Sequence, residues 1–187
     1  MTEFASASIL SLREKIGDLL GRRTKDRIQV STLPDGIPKG TIVEVTGPAR
    51  VEWVLHFLSE NRDLGVAWVE EKFESLPTAF EQRGVNLEKL FFVEAGENTL
   101  RAVRTSLRGK AFPCIVAPNL FQKDEKKLKA LRLLAEKANS VLILLSKKPH
   151  ASWTIAFQLE ALRREKDGSF RLRVLKDKGG AKCESPV

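Results

Sequence analysis

Residues 33–48, with the sequence LPDGIPKGTIVEVTGP, decide the fold of this chain. Their first half carries the prolines and glycines of a turn, and Gly40 leads directly into the β-rich run Thr41–Thr46. After Gly47, apolar residues recur at the spacing of the inner face of a helix: Val51, Val54, Leu55 and Leu58. A strand, a glycine-bearing loop and a helix in this order predict the first unit of a parallel α/β sheet.

The alternation of β-rich and helical runs continues through the chain. Apolar runs predict further strands at 65–69, 89–93, 112–116 and 140–145, with helical patterns between them at 77–83, 98–107 and 123–139. Near the C-terminus, apolar and polar residues alternate on either side of the turn signal Asp167-Gly168, over 153–161 and 170–174. We expect a mostly parallel, twisted sheet flanked by helices and closed by a C-terminal antiparallel hairpin.

Composition divides the chain into four parts. Residues 1–21 predict a helix with an apolar stripe formed by Ile9, Leu12, Ile16 and Leu19. This stripe is suited either to docking on a partner, including a second copy in a homo-oligomer, or to folding back on the core. Residues 22–32 are polar and predict a linker, 33–180 predict the core, and 181–187 predict a disordered tail.

Length and cysteine usage limit the class of protein. The 187 residues suit a single domain, and 42% hydrophobic with 30% charged residues is ordinary for a globular protein. Cys114 and Cys183 lack metal-ligand spacing and do not indicate a disulfide, which favours a reducing compartment. With neither a signal peptide nor a membrane span in the sequence, we predict a cytoplasmic protein that does not insert into membranes.

Basic residues are in excess, with a net charge of +8. Such a charge attracts polyanions such as nucleic acid, although a solvated lysine-rich surface is the alternative. The sequence offers candidates for contact with single-stranded DNA on the C-terminal hairpin and after the predicted strand 140–145: Arg171, Arg173, Lys176, Lys178, Lys147 and Lys148. Basic side chains on an edge strand also discourage aggregation, and this interpretation of the hairpin stays open.

Other polar residues have plainer interpretations. The basic residues of the helix predicted at 123–139 are spaced for surface pairs with acidic neighbours, which favours a solvated face. His56 and His150 have no cysteine, aspartate or second histidine at ligand spacing. We therefore predict no metal site and assign both histidines structural or surface roles.

Three segments resemble the core of the RecA family of ATPases. Residues 33–48 are similar to the family's entry into its first strand and phosphate-binding loop. Residues 66–77, with 83–86, resemble the segment that ends in the family's catalytic glutamate, and residues 174–178 its closing strand. The three occur in the family's order, so the resemblance implies a RecA-like fold for 33–180.

The departures from the RecA pattern concern ATP. Counting from Gly47, the places of the second glycine, the lysine and the hydroxyl hold Glu52, Trp53 and Val54. Ala117 stands where the resemblance implies a metal-positioning aspartate, and Lys72 where it implies the glutamate, unless a shift lets Glu71 serve. These losses predict a pseudo-ATPase without a cofactor, in which Trp53 fills the vacated nucleotide pocket.

Within the RecA-like proteins the sequence resembles ImuA, an accessory group of damage-inducible mutagenesis, and the related SulA inhibitors. The ImuA resemblance implies a non-catalytic role in DNA repair during the SOS response and translesion synthesis. Its implied partners are RecA, an inactive Y-family polymerase-like protein and an error-prone replicative polymerase. Two alternatives stay open: inhibition of FtsZ in cell division, and an unorthodox ATP site of Glu70, Glu71 and the Gly47 loop with Arg50 or Lys72.

Overall fold

The computed structural model describes residues 26–120 and 124–178. Its strands are β1 (Arg27–Val30), β2 (Leu33–Pro38), β3 (Thr41–Thr46), β4 (Val66–Glu70), β5 (Leu90–Glu94), β6 (Cys114–Pro118), β7 (Val141–Leu145), β8 (Phe157–Arg164) and β9 (Phe170–Asp177). Its helices are α1 (Arg50–Glu60), α2 (Pro77–Glu81), α3 (Thr99–Gly109) and α4 (Glu125–Ala138). Single turns of 3-10 helix lie at Leu87–Lys89 and Gly96–Asn98.

Seven strands form one sheet in the order β5-β4-β6-β7-β3-β8-β9. All neighbouring pairs from β5 to β8 are parallel, and β8 pairs with β9 in antiparallel orientation. The predicted α/β fold, with its mostly parallel sheet and C-terminal hairpin, is therefore confirmed. None of the helices in the described parts of the chain combines the length and apolar character needed to cross a membrane.

The sheet separates two apolar layers. On one face, Val43 and Val45 of β3 lie in a buried cluster with α1 and the β1–β2 hairpin. On the other face, Ile42 lies in a cluster with the inner sides of α3 and α4. Burial of each large aliphatic side chain contributes about 1.5–3 kcal/mol, so both layers are needed for stability. Alternation along β3 thus decides which residues face α1 and which face α4.

Local signals explain where α4 begins and ends. The side chain of Asp124 accepts a hydrogen bond from the Lys127 amide at 3.0 Å, which satisfies one of the free N–H groups at the start of the helix. Asn139 ends the helix in the left-handed conformation with φ 51°. The prediction of a helix over 123–139 is accordingly confirmed over Glu125–Ala138.

Three details of the sequence analysis were wrong. Residues 27–30, assigned to the linker 22–32, form β1, and Ile28 and Val30 are buried in the core beneath α1. Val51, assigned to the inner face of α1, is exposed, whereas Trp53 and Phe57 point inward. Residues 153–156 precede β8 and are not part of it. The N-terminal helix, the rest of the linker and the tail 181–187 lie outside the described residues.

Candidate functional site

The loop after β3 lies where a phosphate-binding loop is expected, and it is bonded to its own protein. It contains only Gly47, Pro48 and Ala49 before α1 begins. The Ala49 amide donates to the Ala161 carbonyl of β8 at 3.1 Å, and the Arg50 amide and guanidinium both donate to the Gly47 carbonyl. Backbone amides of this kind cradle the phosphates in a nucleotide-binding loop. These two amides are already occupied.

Glu52 of α1 contacts two arginines, Arg83 after α2 and Arg164 at the end of β8. The Arg83 Nε atom lies 2.9 and 2.8 Å from its two carboxylate oxygens, and Arg83 Nη2 lies 2.6 Å from Oε1. Arg164, at the end of β8, lies 3.9 Å from the same carboxylate. The hydrogen bonds from Arg83 hold the pKa of Glu52 below its usual value, against the opposing effect of burial. The carboxylate stays ionised and would repel a phosphate.

Trp53 and Val54 are core residues. Both are fully buried, and the Trp53 indole N–H donates to the Thr32 hydroxyl at 3.1 Å. The ring stacks on Phe57 at a centroid distance of 6.1 Å. Trp53 therefore lies between α1 and the β1–β2 hairpin, at the position to which the RecA resemblance assigns the phosphate-binding lysine. The prediction that it occupies a former nucleotide pocket stays a prediction.

A cleft of about 230 Å³ opens at the carboxyl ends of β4, β6 and β7, lined by residues that include Glu70, Glu71 and Lys72. This volume is below that of a typical small-molecule pocket, about 300–1,000 Å³. Glu70 accepts hydrogen bonds from Trp68 Nε1 and from the Glu74 and Ser75 amides, as well as the Ser75 hydroxyl. Its carboxylate thus orders the loop after β4, while Glu71 and Lys72 are exposed.

The sheet carries a buried carboxylate, that of Glu44 in β3, which sequence analysis missed. Ala117 of β6 is fully buried against α3 and α4, and Glu44 lies on the other side of Leu144 of β7, on the same face of the sheet. Four donors surround the Glu44 carboxylate at 2.6–2.9 Å: Asn119 Nδ2, Ser146 Oγ, the His150 amide and Gln158 Nε2. With its lone pairs occupied in this way, Glu44 anchors the loop after β7 to the centre of the sheet.

The predicted DNA-contact residues fall into two groups. Arg171, Arg173, Lys147 and Lys148 are exposed, and Arg173 pairs with Glu160 at 3.5 Å. Lys176 is partly buried and donates to the Ser152 carbonyl at 2.5 Å, while Lys178 donates to the Trp153 carbonyl. Burial and the neighbouring Lys178 charge lower the pKa of Lys176. These two lysines therefore hold the loop between β7 and β8 in place.

Trp153 itself was placed by sequence analysis in a half-buried strand. Instead it lies in the loop before β8 with 53% of its surface exposed. Lys129 and Arg132 of α4, together with Lys178, approach its ring to within 6 Å of the centroid. Alternation of apolar residues could not reveal this cluster, because its members are distant in the sequence.

The remaining candidates have structural roles. His56 lies 3.1 Å from Glu60 and beside the Phe170 ring, and the His150 backbone is bonded to Glu44 and Gln158. Complete burial raises the pKa of the Cys114 thiol to about 12, which makes it unreactive. Within 26–120 and 124–178, no group of three or more His, Cys, Asp or Glu side chains could hold a metal ion. Ile9, Leu12, Ile16 and Leu19 lie outside the described residues.

Comparison of the sequence with models of protein families gives no match, and comparison with curated proteins gives none either.

Proposed function

We propose that this protein is a non-catalytic, RecA-like accessory protein of DNA repair and damage-induced mutagenesis. The observation that carries the proposal is the occupied loop after β3. Its Ala49 amide is bound by Ala161, and Glu52 is bound by Arg83. A phosphate would have to break both contacts and lie beside a carboxylate. This arrangement supports a pseudo-ATPase whose α/β core serves as a scaffold.

The assignment to repair rests on the sequence resemblance to ImuA, and two surface features are compatible with it. The net charge of +8 favours contact with single-stranded DNA. An apolar groove of about 490 Å³ lies between the edge strand β5 and α3, where Phe91 is 61% exposed. Such a groove favours action through protein partners, for which RecA and polymerase-like proteins are the candidates.

Nucleotide binding tests the pseudo-ATPase. Calorimetric titration of the full chain with ATP and Mg²⁺ should give no binding heat, under conditions in which RecA binds ATP as a positive control. A cooperative urea unfolding transition of the same preparation checks that the protein is folded. Micromolar ATP binding would overturn the proposal and direct attention to Arg50 and Lys72 as phosphate ligands.

A cellular assay tests the repair role. Deleting the gene in its own host should lower the frequency of mutations induced by ultraviolet light, without changing the frequency in undamaged cells. The competing function is inhibition of FtsZ. Filamentation on expression, together with an unchanged induced mutation frequency in the deletion strain, would exclude the repair role and favour the division inhibitor.

A further inference from the structure

Trp153 differs from the other two tryptophans of the chain. Trp53 and Trp68 are 0% and 2% exposed, whereas Trp153 has 53% of its surface in contact with solvent. An exposed indole is unfavourable by itself because its large apolar surface stays in water. Contacts of the neighbouring residues must therefore hold the ring at the surface.

The backbone on both sides of Trp153 is fixed. Ser152 and Thr154 are buried, and their hydroxyls donate to the Glu125 carboxylate at 2.8 and 2.5 Å. Lys176 binds the Ser152 carbonyl, and Lys178 binds that of Trp153 itself. Because its two neighbours point inward and are bonded, Trp153 is held pointing outward. The indole is thus a pre-organised surface group.

Three cations, two from α4 and one just after β9, lie over the ring. Lys129 Nζ lies 5.9 Å from the ring centroid, and Arg132 Cζ and Lys178 Nζ each lie 5.7 Å from it. The two α4 residues follow further exposed lysines in the first turn of the helix, and Lys147 and Lys148 are exposed in the same loop as Trp153. The nearby acids are engaged, since Asp124 pairs with Lys127 and Glu125 binds the loop hydroxyls.

From this arrangement we infer that Trp153, Lys129, Arg132 and Lys178 form a binding site for single-stranded nucleic acid. An unpaired base stacks on the indole in place of the cationic side chains, which move off the ring and contact the flanking phosphates. Stacking tolerates any base, because every base has a π-face, and the phosphate contacts add affinity that falls with salt. A duplex offers no free base face and gains only the electrostatic part. The inference rests on the proposed function, since it names the surface by which the protein contacts DNA.

Fluorescence anisotropy of a labelled 15-nucleotide oligo(dT) tests this site on the full chain. Replacing Trp153 by Ala should weaken binding by about 5- to 150-fold, whereas Trp153→Phe should restore most of the affinity. Lys129→Ala should lower the slope of log affinity against log salt by about one unit. Binding should also quench tryptophan fluorescence in the wild type and not in Trp153→Phe. An oligo(U) arm distinguishes RNA from DNA as the ligand.

The matched control is Arg171→Ala with Arg173→Ala, which removes two exposed cations of the hairpin away from the indole. If this double variant lost binding while Trp153→Ala bound as the wild type does, the proposed site at Trp153 would be wrong. The broader proposal that the protein contacts DNA would still hold. A loss in Trp153→Ala that is equal for duplex and single strand would also overturn base stacking. If the wild type did not bind oligo(dT) at all, the proposed site would be wrong. The pseudo-ATPase proposal is tested separately by the ATP titration.

Discussion

Gly47 is where the loop after β3 approaches β8 most closely. It adopts φ +89°, and a Cβ atom built on it would lie 2.3 Å from the Ala161 carbonyl oxygen. An L-residue is strained at this φ, and a carbonyl of the sheet cannot move aside without breaking the β3–β8 pairing. We expect Gly47→Ala to lower the free energy of unfolding by about 2–4 kcal/mol, measured by urea denaturation.

Gly168 supplies the control for this prediction because it has the same φ of +89° in open surroundings. The nearest atom to its added Cβ is Arg164 Nη2 at 3.8 Å. Gly168→Ala should therefore show the backbone strain alone, about 1–2 kcal/mol. Equal losses in the two variants would mean that the contact between Gly47 and Ala161 does not hold the loop closed.

At the scale of elements, the β1–β2 hairpin is held to α1 by side chains. Trp53 donates to Thr32 and Asn61 to the Gln29 carbonyl, while Glu60 accepts from the Ser31 amide at 2.7 Å. Trp53→Phe removes one of these bonds and leaves a cavity, so it should destabilise the protein by about 2–4 kcal/mol. Hydrogen exchange should show that residues 27–38 lose protection earlier than the strands β3, β6 and β7 do.

The matched variant for the hairpin is Trp153→Phe, which makes the same chemical change at an exposed ring. Its free energy of unfolding should stay within about 0.5 kcal/mol of the wild type. Uniform loss of protection across the sheet in Trp53→Phe would contradict a separate hairpin unit, because the hairpin and the sheet would then open together.

The elements that the sequence predicted are those with several residues of regular period. Strands β4 to β7 each contain a run of at least four apolar residues, and α4 carries both periodicity and caps, so their residue types alone predict them. Strand β1 has only the four residues RIQV and is stable only against β2 and Trp53, which no local pattern reveals. The residues at the positions that the RecA resemblance assigns to ATP binding were likewise readable one by one. The Trp153 cluster was not, since its position depends on Glu125, 28 residues away, and on the chain after β8.

Across the whole molecule, three carboxylates each join elements from different parts of the chain. Glu52 connects α1 to Arg83, and the hydrogen bonds from Arg83 lower its pKa against burial. Burial alone would raise the pKa values of Glu60 and Glu125, yet hydrogen bonds from Ser31 to Glu60, and from Thr154 and Ser152 to Glu125, lower both. A carboxyl with a lowered pKa in the folded state stabilises that state above the unfolded pKa, about 4.3.

The sign of the pH dependence follows from these lowered values. Between pH 7 and about 5 the contribution of the three carboxylates is fully present, because folded and unfolded chains both keep them ionised. As the pH falls through about 4.3 and below, the unfolded chain binds protons first, so the free energy of unfolding declines. Urea midpoints at pH 7, 5 and 3.5 should therefore fall mainly in the last step.

Replacing the three residues by Gln should flatten that step. Glutamine does not ionise, so the folded state then has no lowered carboxyl pKa at these three positions. The same change at three exposed glutamates, Glu81, Glu88 and Glu97, alters the net charge equally and should leave the step intact. Equal flattening in both triple variants would assign the acid sensitivity to overall charge, and not to the three contacts that tie the hairpin, α2 and the Trp153 loop to their helices.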